Sequence, residues 1–175
     1  MAKGSFLALS LPVILSACQR SQQALEQGAG FRVFEADEAA DLTAIAARII
    51  PTDDTPGATE AGVIYFLDTI FAEARRASQL ALLREGLAAL RGQLTTGGRH
   101  IHELTEAQQD QLLRDNEQTP FFATMRYLTI AGTFSLPRYG GNRDKVGYQL
   151  IGYEDRGAWS APYGFYDADY AERGE

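Results

Sequence analysis

The stretch "TPFFATMRYLTIAG", Thr119 to Gly132, carries the strongest helix signals in the chain. Thr119 has a side chain suited to the N-cap, and Pro120 follows at the first helical position, where its missing N–H needs no partner. Apolar side chains then recur at helical spacing on one face: Phe121, Phe122, Met125 and Leu128. The stretch therefore predicts a core helix that ends near Gly132.

Two further helices are predicted earlier in the chain. "DEAADLTAIAARIIP", residues 37–51, offers Asp37 as N-cap and Pro51 as a stop, with one apolar face formed by Leu42, Ile45, Ala46 and Ile49. A loop rich in Asp, Pro and Gly follows. Thr59 or a neighbour can cap the next helix, whose apolar stripe consists of Val63, Phe66, Leu67, Ile70, Phe71 and Ala74.

The region between these helices and Thr119 predicts two more. One has leucines spaced by four, three and four residues: Leu83, Leu87, Leu90 and Leu94. The other begins at the capping-box pattern "TEAQ" and buries Leu112 and Leu113. No convincing run of alternating strand residues appears. The sequence therefore predicts a mostly α fold: a single small domain of about five helices within residues 36–175, with a long irregular, aromatic-rich C-terminal segment.

The N-terminus indicates an exported lipoprotein. "FLALSLPVILSA" is an uncharged apolar run behind Lys3, too short for a permanent transmembrane helix of about 20 residues. It ends in "LSAC", which resembles the bacterial lipobox, and Cys18 is the only cysteine. We therefore expect a signal peptide at residues 1–17, lipidation of Cys18, and a flexible tether through residue 35. The expected location is periplasmic, lipid-anchored to a bacterial membrane.

Composition and motifs exclude several classes of function. The formal net charge is −7 and no Lys/Arg cluster stands out, so we expect no nucleic-acid partner. "RYGGNRDKVG" matches neither the dinucleotide nor the phosphate-loop glycine pattern. His100 and His102 do not complete a metal site and are interpreted as solvated loop histidines, while Asp53 and Asp54 suit a turn. We therefore predict no catalytic, cofactor-binding or metal-binding residue in this chain.

The C-terminal part is unusually rich in aromatic residues. Six of the eight tyrosines and the only Trp lie from Tyr139 onward. Tyr and Trp combine apolar area with a polar tip and are enriched at interfaces. Either these side chains wrap the chain's own helices or they bind a partner. The predicted partner-binding residues are Tyr139, Asn142, Arg143, Tyr148, Tyr153, Trp159, Tyr163 and Tyr166.

Two blocks of sequence resemble a known family. They are "ARIIPTDDTPGATEAGVIYFLD" at 47–68 and "FFATMRYLTIAGTFSLPRYGGNRDKVGYQLIGY" at 121–153. They fit the I-P-x-D-x-x-P-G-A-x-x-A-G-V and G-x-F-[ST]-x-P-x-Y-G-G-N patterns of the small subunit, subunit 3, of gluconate 2-dehydrogenase and related membrane-bound sugar dehydrogenases.

The resemblance implies a companion subunit without catalytic residues or cofactor of its own. Its partners would be a large FAD-containing subunit of the glucose–methanol–choline type and a multihaem cytochrome c subunit. It would help the flavoprotein fold and cross the membrane. Many members begin with a twin-arginine signal, whereas this chain has Lys3-Gly4 at that place, which puts the export role in doubt.

The resemblance also suggests a role for "LPRYGGN". We expect a shaped turn, in which Gly140 and Gly141 allow a positive φ or a close approach of backbone. The turn would present Tyr139, Asn142 and Arg143 to the helical core or to the flavoprotein. The alternative function is a free-standing periplasmic lipoprotein that binds a ligand or acts as a scaffold.

Overall fold

The fold is mostly α, as predicted. A computed structural model of the chain describes residues 30–94, 100–156 and 173, and these contain helices and turns but no strand. Six α-helices lie within them: α1 Ala36–Ile49, α2 Val63–Phe71, α3 Ala77–Arg91, α4 Glu106–Asp115, α5 Pro120–Phe134 and α6 Val146–Leu150. None of these helices combines the length and the apolar character needed to cross a membrane.

The segment after α5 is more regular than predicted. It begins with two 3-10 turns, Pro137–Tyr139 and Arg143–Lys145, and then forms α6. Backbone contacts with α5 order this segment. Such contacts leave no periodic apolar pattern in the sequence, so the sequence could not predict them. Residues 137–150 therefore contain short helical turns within the predicted irregular segment, and Trp159, Tyr163 and Tyr166 lie outside the described residues.

Helix capping follows the sequence at two of the four predicted sites. The Thr119 hydroxyl accepts a hydrogen bond from the Phe122 N–H at 3.2 Å, with Pro120 in the first turn. The capping box of α4 is also confirmed. The N-cap of α1 is Glu35 rather than Asp37, because Glu35 and Glu38 form a reciprocal box. The N-cap of α2 is Gly62 rather than Thr59. Gly62 has a left-handed φ of 68°.

The core lies where α1, α2 and α5 pack on one another. Leu42, Ile45, Leu67 and Met125 from these three helices are fully buried. The α3 helix packs against α5 through its leucine stripe, and α4 packs against α1. The predicted apolar faces therefore form one shared core, with Leu83, Leu87 and Leu90 buried as expected.

The residues just before α1 are part of this core. Asp68 on α2 is buried, and its carboxylate accepts hydrogen bonds from the Arg32 and Val33 N–H groups, both at 3.0 Å. Phe34 is buried edge-to-face against Phe71, with ring centroids 6.2 Å apart. Residues 31–35, predicted as the end of a flexible tether, therefore pack on the domain.

Candidate functional site

The glycine-rich turn after α5 is built around the side chain of Asn142. That side chain is fully buried, and its amide donates to the Ser135 carbonyl at 2.9 Å. Its amide oxygen accepts the Gly147 N–H, also at 2.9 Å. The Asn142 backbone N–H donates to the carbonyl of Gly132 inside α5 at 2.8 Å. Asn142 thus fastens the turn to the C-terminal end of α5, which is the first of the two expected alternatives, the helical core.

The glycines of this turn allow backbone to lie on backbone. A Cβ on Gly141 would lie 2.1 Å from the Gly132 carbonyl oxygen, and one on Gly147 would lie 2.0 Å from that of Thr133. Gly140 has a φ of 95°, in the left-handed region that glycine favours. The expected shaped turn is confirmed, and its close approach serves the internal packing of the domain.

Arg143 joins the two sequence blocks that carry the family resemblance. Its N–H donates to the carbonyl of Ala61 at 3.1 Å, in the loop before α2. Its guanidinium lies 3.7 Å from the ring centroid of Tyr65, a cation–π distance. Gly62 leaves room for this side chain, since a Cβ there would lie 2.6 Å from the Arg143 Cδ. The turn after α5 and the loop before α2 are therefore one structural unit.

A family model described as gluconate 2-dehydrogenase subunit 3 matches residues 36–155, which include both blocks of this unit. The chain belongs to that family. Among curated proteins and among solved structures, nothing matches the chain. The match covers all six described helices of this gluconate 2-dehydrogenase subunit 3 protein.

The predicted partner-binding residues of this subunit 3 protein differ in exposure. Tyr148 is buried, with its ring edge-to-face on Tyr153 at 4.8 Å between centroids, so its described contacts are internal. Tyr139 and Tyr153 are exposed, and Arg143 is half-buried. Partner binding by these three residues stays a prediction. The remaining predicted residues, Trp159, Tyr163, Tyr166 and the lipidation site Cys18, lie outside the described residues.

Sequence reasoning missed an apolar groove between α3 and α5. Its volume is about 710 Å³, and Leu82 and Tyr127 stand at its wall with 67% and 71% of their surface exposed. Gly86 lies at its base, where a Cβ would meet the Phe121 ring at 2.4 Å. The sequence contained a sign of this groove. Leu82 and Tyr127 are large apolar residues that fall beside the buried stripes of their helices, where they are exposed.

A second unexpected cluster joins α1 to the 3-10 turn Ile101–Glu103. The carboxylate of Asp41 is fully buried and lies 2.6 Å from the His102 Nδ1 and 3.8 Å from the His100 Nδ1. The two imidazole rings stack with centroids 5.3 Å apart. His102 is exposed and His100 is half-buried, as expected of loop histidines, but their pairing with a buried carboxylate was not predicted. The missed signal is Asp41 itself, an acid on the apolar face of a helix.

Hydrogen bonds keep this buried carboxylate ionised. Burial opposes the charge of Asp41, but the His102 backbone N–H, the Arg91 side chain and the His102 ring together outweigh it and lower the pKa of Asp41. The Arg91 Nε donates to its Oδ2 at 2.6 Å.

Asp53, in the loop between α1 and α2, accepts hydrogen bonds from the Thr55 N–H and hydroxyl, both at 2.9 Å, which is the predicted turn role.

Proposed function

We propose that this chain is the non-catalytic small subunit of a periplasmic, membrane-associated, FAD-dependent dehydrogenase that oxidises gluconate or a sugar. The observation that carries this proposal is the family match over residues 36–155. The large subunit is of the glucose–methanol–choline type and holds the FAD, and a multihaem cytochrome c subunit receives the electrons. This chain stabilises the flavoprotein and assists its export, and it contributes no cofactor of its own.

Two exposed apolar surfaces support binding to a large partner. The first, the α3–α5 groove surface, centres on Leu82 and Tyr127. The second, the turn surface, contains Tyr139, Ile151 and Tyr153. Apolar patches with exposed tyrosines are typical of protein interfaces, because such rings bury large area at a small entropy loss. We place the flavoprotein against these surfaces.

Co-purification tests the proposal directly. When this chain is isolated by affinity from membranes of its own organism, a flavoprotein should accompany it in about equal amount. The retained material should contain FAD and should oxidise gluconate or a sugar with a dye as acceptor. A flavin-free preparation without this activity would overturn the proposal.

Variants of the groove surface sharpen that experiment. Leu82→Ala with Tyr127→Ala should weaken retention of the flavoprotein about thirtyfold, since loss of a buried Tyr anchor costs roughly 2 kcal/mol or more. Arg126→Ala is the matched control, because Arg126 is exposed on the same helix but does not line the groove. Equal retention by both variants would exclude the groove surface from the interface.

The groove also favours a second candidate, a free-standing lipoprotein that binds a small molecule. Its volume of about 710 Å³ falls within the range of ligand sites, and most of its wall is apolar. Arg76 lines this wall, and its buried Nε lies 3.5 Å from the Glu73 carboxylate. A small molecule extracted from the purified chain, with no flavoprotein retained, would favour this candidate.

Lipidation of Cys18 is the membrane-anchoring part of the proposal. Radiolabelled palmitate fed to cells should enter the wild-type protein, and Cys18→Ser should abolish the label and move the chain to the soluble fraction. Acyl chains contribute about 0.8 kcal/mol per buried CH₂, so several chains anchor a protein stably. An unlabelled wild-type protein would contradict the lipobox assignment.

A further inference from the structure

The cluster between α1 and the Ile101–Glu103 turn contains the donor atoms of a metal site. One atom each from Asp41, His100 and His102 lies within 4.8 Å of the other two. Imidazole nitrogen and carboxylate oxygen are both common zinc ligands, at about 2.0–2.2 Å from the ion. Ligand atoms of a tetrahedral site are then about 3.3 Å apart. The Asp41 Oδ1 lies 2.6 Å from the His102 Nδ1, and the Asp41 Oδ2 lies 3.8 Å from the His100 Nδ1, so small side-chain shifts would bring these atoms to that spacing.

His100 supplies an independent sign that something is bound here. Its Nδ1 is buried and has no hydrogen-bond partner among the described residues. The nearest oxygen of Asp41 is 3.8 Å away, too far for a hydrogen bond. Buried polar nitrogens almost always have a partner. An ion held between the two imidazoles and the carboxylate would give this nitrogen its partner.

The groups around the cluster orient these ligands. The Arg91 Nε holds the Asp41 Oδ2 at 2.6 Å, which leaves Oδ1 directed at His102. On the outer side of His100, the Asp37 carboxylate lies 3.5 Å from Nε2. Carboxylates beside ligating imidazoles are common in metal sites, where a hydrogen bond from the ring fixes its tautomer.

The local charge is compatible with a divalent cation. Asp41 and Asp37 each carry one negative charge, and Glu103 adds a third through its contact with the His100 N–H at 3.2 Å. Arg91 carries the opposing positive charge, and it is committed to Asp41 and to the Asp37 carbonyl. Three acids against one guanidinium leave the cluster net negative, which favours a cation.

We propose that Asp41, His100 and His102 bind a divalent transition-metal ion of the zinc type, with a fourth position left to water. The ion would take the place of the direct contact between the His102 Nδ1 and the Asp41 Oδ1, which are 2.6 Å apart. It would also tie the Ile101–Glu103 turn to α1. The sequence pattern alone predicts no metal site, because Asp41 is 59 residues away from His100 along the chain.

Metal titration of the full chain tests this site. The protein should carry Cys18→Ser and no histidine tag, because a free thiolate or added imidazoles would bind zinc independently. After chelator treatment and dialysis, ZnCl₂ should bind at one ion per chain and raise the Tm. Co²⁺ should give the intense visible absorption of a four-coordinate site. Binding of less than about half a zinc ion per chain would overturn the proposal.

Variants locate the ion. His100→Ala should weaken zinc binding at least tenfold, while Asp53→Asn, an exposed acid in the α1–α2 loop, should change nothing. His100→Ala leaves the contacts of Asp41 with His102 and Arg91 in place, so helical circular dichroism should persist. Unchanged zinc affinity in His100→Ala would overturn the assignment. If that variant does not fold, the stoichiometry and Co²⁺ spectrum of the wild-type chain decide alone.

Discussion

Replacing Gly147 with Ala should strongly destabilise the fold. The new Cβ would lie 2.0 Å from the Thr133 carbonyl oxygen and 3.1 Å from the Asn142 Oδ1. Backbone cannot move aside as a flexible side chain can, so the turn must separate from the end of α5. The hydrogen bond from Gly147 to Asn142 would be lost with it. We expect a destabilisation of about 3 kcal/mol or more, against a total stability of about 5–15 kcal/mol.

Urea unfolding followed by circular dichroism measures this effect, with Gly92→Ala as the matched control. Gly92 follows α3 in a right-handed helical conformation, and a Cβ there would meet its nearest atoms at 3.4 and 3.5 Å. Its substitution should change stability by less than about 1 kcal/mol, in the stabilising direction. Similar midpoints for both variants would show that Gly147 is not in the close contact described.

The helices could be predicted because their signals are local. Thr119 and Thr105 cap α5 and α4 through backbone N–H groups only three residues away, so the cap pattern in the sequence is enough. The leucine spacing of α3 likewise fixes its buried face without knowledge of what it packs on. At α1 and α2 the cap was misplaced, because Glu35 and a left-handed Gly62 are less typical N-caps.

The role of Asn142 could not be predicted, because it depends on distant backbone. An Asn beside two glycines is typical of an exposed turn. Here its amide instead satisfies the Ser135 carbonyl and the Gly147 N–H, seven and five residues away. That arrangement exists only once the chain has turned back on the end of α5. Sequence reasoning found the right residues for the family, but it could not separate internal fastening from partner binding.

The Asp41 cluster shows the same limit in another form. His102 and Asp41 are 61 residues apart, and they meet because the Ile101–Glu103 turn packs on α1. Two histidines in a polar stretch give no local sign of a buried partner. Only the acid on the apolar face of α1 was unusual, and a residue of that kind is rarely buried without a charged or hydrogen-bonding partner. A search for such acids would have pointed to this cluster.

Removing residues 157–175 should abolish association with the flavoprotein while the helical domain remains folded. The family match ends at residue 155, and the described core is formed by residues that precede this point. Tyr153 is retained in such a truncation, together with its backbone hydrogen bond to the Tyr148 carbonyl at 2.8 Å. The removed segment contains Trp159, Tyr163 and Tyr166, which we predict to be anchors for the partner. Circular dichroism and urea unfolding should therefore match the full-length chain.

Trp159→Ala in the full-length chain separates loss of an anchor from loss of the whole segment. A buried Trp contributes roughly 2 kcal/mol or more at an interface, so the variant should weaken retention of the flavoprotein about thirtyfold. Ser160→Ala is the matched control, since it changes the neighbouring position without removing an aromatic ring. Dye-linked oxidation of gluconate or sugar by the purified complex should fall in parallel with retention. If the truncated chain unfolds, the segment belongs to the domain's own packing. If it folds and still retains the flavoprotein, the removed segment holds no anchor, and the interface is limited to the groove surface and the turn surface.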